Sequence, residues 1–174
     1  MYCVLSTSLN RKSRSRRLAN FAAQELEGLE QAVKLIDLSD FELPIHDGGS
    51  SHSHALSEVT DHIGGAHGVA IVLPIYRNSV AASASNLLQQ TGSIWQRKVV
   101  GLISVASNGL GHSATLGFAN TMMLEHRTFV LPDFVFVDSK LLSERPVASE
   151  SKVVEQMKKM TSNLVRITDA LQKA

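Results

Sequence analysis

Short apolar runs alternate along this chain with longer segments in which the apolar residues recur at helical spacing. A run of about four to eight apolar residues is typical of a strand buried on both faces, whereas apolar positions three and four residues apart indicate an amphipathic helix. Their alternation predicts a parallel sheet with helices on both faces. The predicted strands are residues 2–5, 32–38, 69–73 (closed by Pro74), 98–105 and 128–131, with residues 134–137 continuing the last one.

Five helices are predicted in the remaining segments, and residues 39–53 are predicted to be a loop. The first helix carries apolar residues at helical spacing from Leu18 to Leu29, and the last carries an apolar stripe along its length. The four helices after the first span residues 55–64, 80–90, 112–125 and 149–172. Because no repeat, low-complexity tract or linker divides these elements, residues 1–174 are predicted to form a single domain.

The segment from Thr7 to Ala19, between the first strand and the first helix, is rich in hydroxyl groups and arginine. The unpaired N–H groups and the positive dipole end of a helix start suit a phosphate dianion. This pattern favours a phosphate-binding loop, whereas helix capping, a solvated basic face or a nucleic-acid patch are the alternatives. The loop lacks the glycines of the dinucleotide-binding and Walker motifs. Its candidate phosphate-binding residues are Ser8, Asn10, Arg11, Ser13, Arg14, Ser15, Arg16 and Arg17.

The same segment resembles the Gly-Ser-Leu-Arg-x-x-Ser-x-Asn-Arg-x-Leu-Ala signature of the NADPH-dependent FMN reductase family. In an ungapped alignment the differences are Thr7 for glycine, Asn10 for arginine and Ser15 for asparagine. The resemblance implies that the family's arginine at the position of Asn10 helps to hold the flavin phosphate, and Arg11 lies next to it. The matching residues are Ser8, Leu9, Ser13, Arg16, Leu18 and Ala19.

A second segment, which follows the third predicted strand, is similar to the family's Pro-Glu-Tyr-Asn-Gly-Ser motif. A proline that ends a strand and a tyrosine beyond it form a rigid turn with an exposed aromatic face, although a tyrosine packed over the sheet end is the alternative. The resemblance implies that this segment lines the flavin ring. Pro74, Tyr76 and Ser79 match the motif, while Ile75, Arg77 and Asn78 differ from it.

The third segment follows the fourth predicted strand and resembles the family's Ser-x-Gly-Gly-x-x-Gly loop. Glycines here permit positive φ, which turns backbone N–H groups toward a ligand, but small turn residues between a strand and a helix are also ordinary. The resemblance implies that Ser107, Asn108 and Gly109 contact the flavin.

The resemblance to this family implies a flavodoxin-like three-layer sandwich with a five-stranded parallel sheet in the order 2-1-3-4-5. It implies bound FMN, NADPH or NADH as donor, and a quinone, azo compound, metal oxyanion or free flavin as acceptor. It also implies a homodimer or homotetramer, with the small side chains of residues 81–88 in the interface. No catalytic side chain is predicted, because the flavin carries the chemistry. A flavin-binding redox partner without nicotinamide turnover and a cofactor-free interaction protein are the alternatives.

Composition limits the partners, the disulfide bonds and the location that we expect for this protein. The net charge is +1, which gives no general reason to expect nucleic acid or an anionic membrane as partner. Cys3 is the only cysteine, so no disulfide can form within the chain. With no apolar span of membrane length and no signal-peptide pattern, the cytoplasm is the expected location.

The sequence argues against two other kinds of site, a zinc site and a hydrolase triad. His46, His52, His54 and His62 lie near one another, but without a cysteine or an H-E-x-x-H helix a solvated loop is favoured over a zinc site. Ser107, His112 and Asp133 do not form a hydrolase triad, because no Gly-x-Ser-x-Gly elbow surrounds a serine.

Overall fold

The structure is a computed structural model that describes residues 1–49, 53–107, 111–144 and 146–173. The strands are β1 Tyr2–Ser6, β2 Val33–Asp37, β3 Gly68–Tyr76, β4 Ser79–Val80, β5 Val99–Ala106, β6 Phe129–Val130 and β7 Val135–Asp138. The helices are α1 Ser15–Gly28, α2 His54–Gly64, α3 Ala82–Thr91, α4 Gly111–His126, α5 Leu141–Glu144 and α6 Ser151–Gln172, with 3₁₀ turns at Leu38–Asp40, Gly92–Trp95 and Val147–Ser149.

The sheet has the order β2-β1-β3-β5, and both β6 and β7 lie along the far side of β5. All of these pairings are parallel. When β6 and β7 are counted as two halves of one interrupted strand, the predicted order 2-1-3-4-5 is confirmed. The interruption is at Pro132, which has no N–H to donate and whose carbonyl instead accepts a hydrogen bond of 2.9 Å from the Phe134 N–H.

Both faces of the sheet are buried, as the continuous apolar strands predict. On one face, side chains such as Val4 and Val72 pack with Leu18 of α1 and Met157 of α6. On the other face, side chains such as Leu5 and Ile71 pack with residues of α2, α3 and α4. Three layers result, and every loop that follows a strand of the parallel sheet lies at the same edge.

The prediction that Pro74 ends the third strand is wrong. β3 continues through Pro74 to Tyr76 and turns back as β4, with Ile75 opposite Val80 and Tyr76 opposite Ser79. Proline is tolerated here because the long run of parallel pairing to β5 ends at Pro74 itself. Because Ser79 and Val80 form β4, α3 begins only at Ala82, two residues later than predicted.

The turn between β3 and β4 has two central residues, Arg77 and Asn78, with φ of 49° and 60°. Two-residue hairpins with positive φ at both positions are type I′ turns, which favour Asn-Gly strongly. A β-carbon in this region costs about 1 kcal/mol, so Arg77 is held in an unfavourable conformation.

Cys3 is fully buried in β1. Burial raises the pKa of its thiol to about 12, so the side chain stays protonated and unreactive at neutral pH. Within the described residues, none of the helices combines the length and the apolar character that crossing a bilayer would require.

We expect Gly68→Ala to lower the free energy of unfolding by about 1–3 kcal/mol, since it overpacks the core. A β-carbon at Gly68 would lie 2.8 Å from Oγ1 of Thr168 and 2.9 Å from Cε1 of Tyr2. Urea denaturation measures the change. Gly64→Ala is the control, because a β-carbon there meets no atom within 4 Å; equal losses in both variants would contradict the prediction.

The double variant Arg77→Asn/Asn78→Gly is expected to raise the free energy of unfolding by about 1 kcal/mol, because it installs the pair that a type I′ turn favours. Thermal denaturation tests this as a rise in Tm of about 2–4 °C. Asn120→Gly on the exposed face of α4 is the matched control and should destabilise. A fall in Tm of the double variant would show that the turn is not the source of strain.

Candidate functional site

Residues 7–19, the hydroxyl- and arginine-rich segment after β1, are called the polar loop below. Its first residue, Thr7, joins the end of β1 to the neighbouring elements. The N–H and Oγ1 of Thr7 both donate to the carbonyl of Val72 in β3, at 3.2 Å and 2.8 Å. The Oγ of Ser83, in the first turn of α3, donates to the carbonyl of Thr7. The polar loop is therefore joined to β3 and to the start of α3.

The other strand ends complete a ring of contacts. A β-carbon at Gly111 would lie 3.2 Å from Cβ of Ala106 and 3.4 Å from Cγ1 of Ile75, so glycine permits α4 to start against β3 and β5. Ser139 donates its N–H to the carbonyl of Ala106 at 2.8 Å. Nη1 of Arg14 donates to the Ser139 carbonyl at 3.0 Å. Because Arg14 belongs to the polar loop, this series of contacts closes on the loop where it began. The structure thus brings the polar loop, the end of β3 and the two described ends of the third predicted loop together around the carboxyl ends of β1, β3 and β5.

The polar loop folds through its own side chains. Oγ of Ser8 accepts from the Asn10 N–H at 3.2 Å, and Oδ1 of Asn10 accepts from the Lys12 N–H at 3.0 Å. Oγ of Ser13 lies 2.7 Å from Oγ of buried Ser15, the first residue of α1. Asn10, where the family signature has arginine, therefore shapes the loop rather than supplying charge.

Three of the four arginines are engaged with the protein. Arg14 holds Ser139, and Arg17 donates to the carbonyl of Leu142. Nε of Arg16 lies 3.0 Å from Oδ2 of Asp37, a carboxylate that is itself buried. Arg11 is exposed, and its side chain makes no hydrogen bond or ion pair with any residue in the described ranges. Arg11 is thus the arginine of this loop that is available to a ligand.

These groups fit a phosphate. The N–H groups of Ser8, Leu9 and Arg11 donate no hydrogen bond to the part of the chain that the structure describes. They lie beside the serine hydroxyls and the N-terminus of a 14-residue helix, whose dipole adds positive potential. A dianion placed here would receive neutral donors and the positive charge of Arg11.

The predicted ring-binding segment presents an aromatic side chain and backbone. The Tyr76 side chain is largely exposed at the end of β3, whereas Ile75 is buried and offers a ligand only its backbone. Arg77 and Asn78 are exposed at the tip of the hairpin. Sequence reasoning missed this hairpin because Arg-Asn lacks the glycine that usually signals it, although the family motif has Asn-Gly at the same two positions.

The third loop is described only in part. Ser107 is exposed after β5, while predicted residues Asn108 and Gly109 lie outside the described residues. The Ser104 and Thr115 hydroxyls, 2.6 Å apart and buried, join β5 to α4. The ring of His112 packs against the ring of Phe136 at an angle of 34°, with centroids 3.7 Å apart.

Asp133 and the histidines have surroundings that fit neither a hydrolase triad nor a zinc site. Oδ1 of Asp133 lies 2.9 Å from Nζ of Lys159, and this ammonium lowers the pKa of the carboxyl. Asp133 therefore forms an ion pair with α6. The described ranges contain no cluster of three or more histidine, cysteine, aspartate or glutamate side chains that would hold a metal. His52 lies outside them.

A cleft of about 1060 Å³ lies beside the hairpin. One wall is formed by residues 38–46, of which Leu38 was predicted to end the second strand and residues 39–46 to belong to a loop. The alternation of Phe41, Leu43 and Ile45 was the available signal, since alternating apolar residues indicate a half-buried extended segment. The lining residues are Leu9, Leu38, Ser39, Phe41, Glu42, Leu43, Ile45, His46, Tyr76, Ser79, Val80, Ala82, Ser83, Ser85, Asn86 and Gln89.

Comparison with solved structures identifies proteins of similar fold. A flavone reductase superposes with a TM-score of 0.78 at 14% identity, over 99% of this chain and 64% of its own, so this chain spans less than two thirds of that protein. The apo form of an NADH:FMN oxidoreductase has a TM-score of 0.78 at 17% identity, over 94% and 87%. An NAD(P)H:quinone oxidoreductase from Methanothermobacter marburgensis has a TM-score of 0.67 at 13% identity, over 94% and 98%.

These identities are too low to show more than a shared fold. The sequence model of one family, however, matches residues 2–141, from the first strand to the start of α5. That match includes the polar loop, the hairpin and the start of α4. The chain belongs to the NADPH-dependent FMN reductase family.

Proposed function

We propose that this protein is an FMN-dependent NAD(P)H oxidoreductase that reduces a small-molecule acceptor. The observation that carries the proposal is the ring of contacts that joins the polar loop, the β3–β4 hairpin and the start of α4. A phosphate loop and an exposed aromatic side chain at one sheet edge suit a flavin nucleotide, and family membership supports the same class of chemistry.

The phosphate would be held by Ser8, Ser13 and Ser15 together with the N–H groups of the loop. Arg11 would add charge, because the other loop arginines have protein partners. Asn10 and Arg14 would act indirectly, the first by shaping the loop and the second by tying it to Ser139.

The ring would lie against backbone groups of Pro74 and Ile75, the side chain of Tyr76 and the exposed residue Ser107. Asn108 and Gly109 are further ring contacts that the family resemblance implies. Arg77 is exposed and without a partner within the described ranges, so it is available to the phosphates of a nicotinamide nucleotide. When bound, FMN supplies the chemistry, since it accepts a hydride and passes two electrons onward. The protein's contribution is then orientation and proximity, and no side-chain acid or base is needed.

The deciding experiment is an absorbance spectrum of protein that has been mixed with FMN and desalted, recorded before and after anaerobic NADPH. Retained flavin absorbance that bleaches with NADPH is expected. Retained absorbance that does not bleach would favour a redox partner without nicotinamide turnover. Protein that retains no flavin and shows no affinity in a titration would overturn the proposal.

We expect Arg11→Ala to raise the Kd for FMN about threefold to tenfold, because it removes a charge-assisted contact to phosphate at an exposed position. Fluorescence titration of FMN measures this. Arg166→Ala removes the same charge from the exposed surface of α6 and should leave the Kd unchanged. An Arg11 variant with wild-type affinity would show that the backbone and serine donors hold the phosphate without it.

A further inference from the structure

Asp37, the last residue of β2, is a buried carboxylate at the sheet edge that carries the polar loop. It is 7% exposed, and in the parallel pairing of β1 with β2 it lies opposite Ser6, the residue before that loop. A carboxylate that leaves water loses hydration, so its burial is stable only where cations or N–H groups replace the lost contacts. The partners of Asp37 therefore indicate what this charge stabilises.

The two oxygens of this carboxylate bind different elements. Oδ2 lies 3.0 Å from Nε of Arg16, the second residue of α1. Oδ1 accepts from the Ser39 N–H at 3.0 Å and so caps the 3₁₀ turn Leu38–Asp40. The first contact is an ion pair, whereas the second needs only an oxygen acceptor. A substitution that removes the charge but keeps an oxygen therefore separates the two contacts.

The ion pair holds a cation at a position that a helix disfavours. The N-terminus of a helix carries a partial positive charge, which repels an arginine in the first turn. A second carboxylate, that of Asp40, lies 3.7 Å from Nη2 of Arg16, but its side chain is 50% exposed. Asp37 is the closer and more deeply buried partner, so it fixes the direction in which the Arg16 side chain extends from α1.

The backbone of Arg16 belongs to the groups that suit a phosphate. Its N–H donates no hydrogen bond to any residue in the described ranges, whereas the Ser15 N–H donates to Oγ of Ser13 and the Arg17 N–H to the Arg14 carbonyl. A free N–H in the first turn of a 14-residue helix is a donor for a phosphate oxygen. A side chain locked to β2 holds this donor in place before the ligand binds, which reduces the entropy lost on binding.

From these contacts we infer that Asp37 is a positioning residue for the phosphate of the flavin nucleotide. It acts through Arg16, because the ion pair joins the first turn of α1 to the end of β2 and so presents the N–H groups of that turn in a preformed arrangement. In this role Asp37 contacts neither the phosphate nor the reacting atoms. This inference rests on the proposed function, in which FMN binds at the polar loop.

A purely electrostatic role for Asp37 predicts the opposite effect on binding. Asp37 carries a negative charge near the proposed position of a phosphate dianion, so the loss of that charge alone strengthens FMN binding. The positioning role predicts weaker binding, because Arg16 loses its buried partner and the first turn of α1 loses its attachment to β2. The sign of the change therefore distinguishes the two roles.

Asp37→Asn is the first variant, because asparagine keeps an oxygen that accepts from the Ser39 N–H but lacks the charge that pairs with Arg16. Fluorescence titration measures the Kd of FMN and that of riboflavin, which has the same ring and no phosphate. We expect the Kd of FMN to rise about threefold to tenfold and that of riboflavin to stay unchanged. Equal rises for both ligands would show a general loss of structure, and an unchanged or lower Kd of FMN would show that the ion pair does not position the phosphate donors. Either result overturns the inference.

Asp40→Asn is the matched control. It removes the same charge from the exposed carboxylate beside the same guanidinium and leaves the buried ion pair in place. We expect the ratio of the two Kd values to stay within about twofold of that of the wild type, because exposed ion pairs contribute little. A change as large as that of Asp37→Asn would mean that local charge sets the affinity for phosphate, and it would overturn the positioning role.

Arg16→Gln tests whether Asp37 acts through Arg16. If it does, the double variant Arg16→Gln/Asp37→Asn weakens FMN binding no more than the weaker-binding single variant, because both substitutions break the same contact. Additive losses would overturn this route. Should Asp37→Asn not fold, Arg16→Gln, at a side chain that is 39% exposed, provides the same comparison of FMN with riboflavin.

The spectrum and the titrations separate this inference from the proposed function. Wild-type protein whose bound FMN bleaches with NADPH, but whose Asp37→Asn variant keeps the wild-type ratio of Kd values, retains the proposed function and loses this inference. Protein whose FMN does not bleach, but whose Asp37→Asn variant loses affinity for FMN and not for riboflavin, retains the positioning role and loses the proposed function.

Discussion

The candidate site depends on the pair of hydrogen bonds from Thr7 to the carbonyl of Val72. They hold the first residue of the polar loop against β3 in a region where both partners are buried, and buried polar groups are costly to leave unpaired. The bond from Ser83 to the Thr7 carbonyl then fixes α3 to the same point. The hairpin, the cleft and the start of α1 are all positioned relative to this junction.

Charge at the site is controlled by pairing as much as by composition. The polar segment carries several arginines, but Arg16 is paired with Asp37, and Arg14 and Arg17 bind carbonyl oxygens. Arg16 thereby ties the segment to the end of β2, and Arg14 and Arg17 tie it to the segment after β7. Within the described ranges the cations of this segment left for a ligand are the neighbouring Arg11 and Lys12, while the adjacent cleft has no lysine or arginine in its lining.

Much of the fold was predictable because strands buried on both faces are apolar throughout, and helices between them carry one apolar stripe. The order 2-1-3-4-5 came from the family resemblance and is confirmed by the strand pairing. The extension of β3 through Pro74 was not predicted, since proline usually ends a strand and the Arg-Asn turn lacks glycine. The division of the last strand into β6 and β7 follows from Pro132 and was anticipated only as a continuation.

The sequence by itself determined the layered parallel fold, the polar loop at the first helix start and the family. These features depend on apolar periodicity and motifs among residues that are close together in the sequence. Only the tertiary structure decided which arginine remains available, since Asp37, Ser139 and Leu142 are distant in sequence from their partners. The same holds for the cleft. Its wall is an extended segment whose alternating apolar residues indicate only that it is half-buried, and the hydrogen bonds that hold it in place come from Asn86 and Gln90, 42 and 46 positions beyond Pro44.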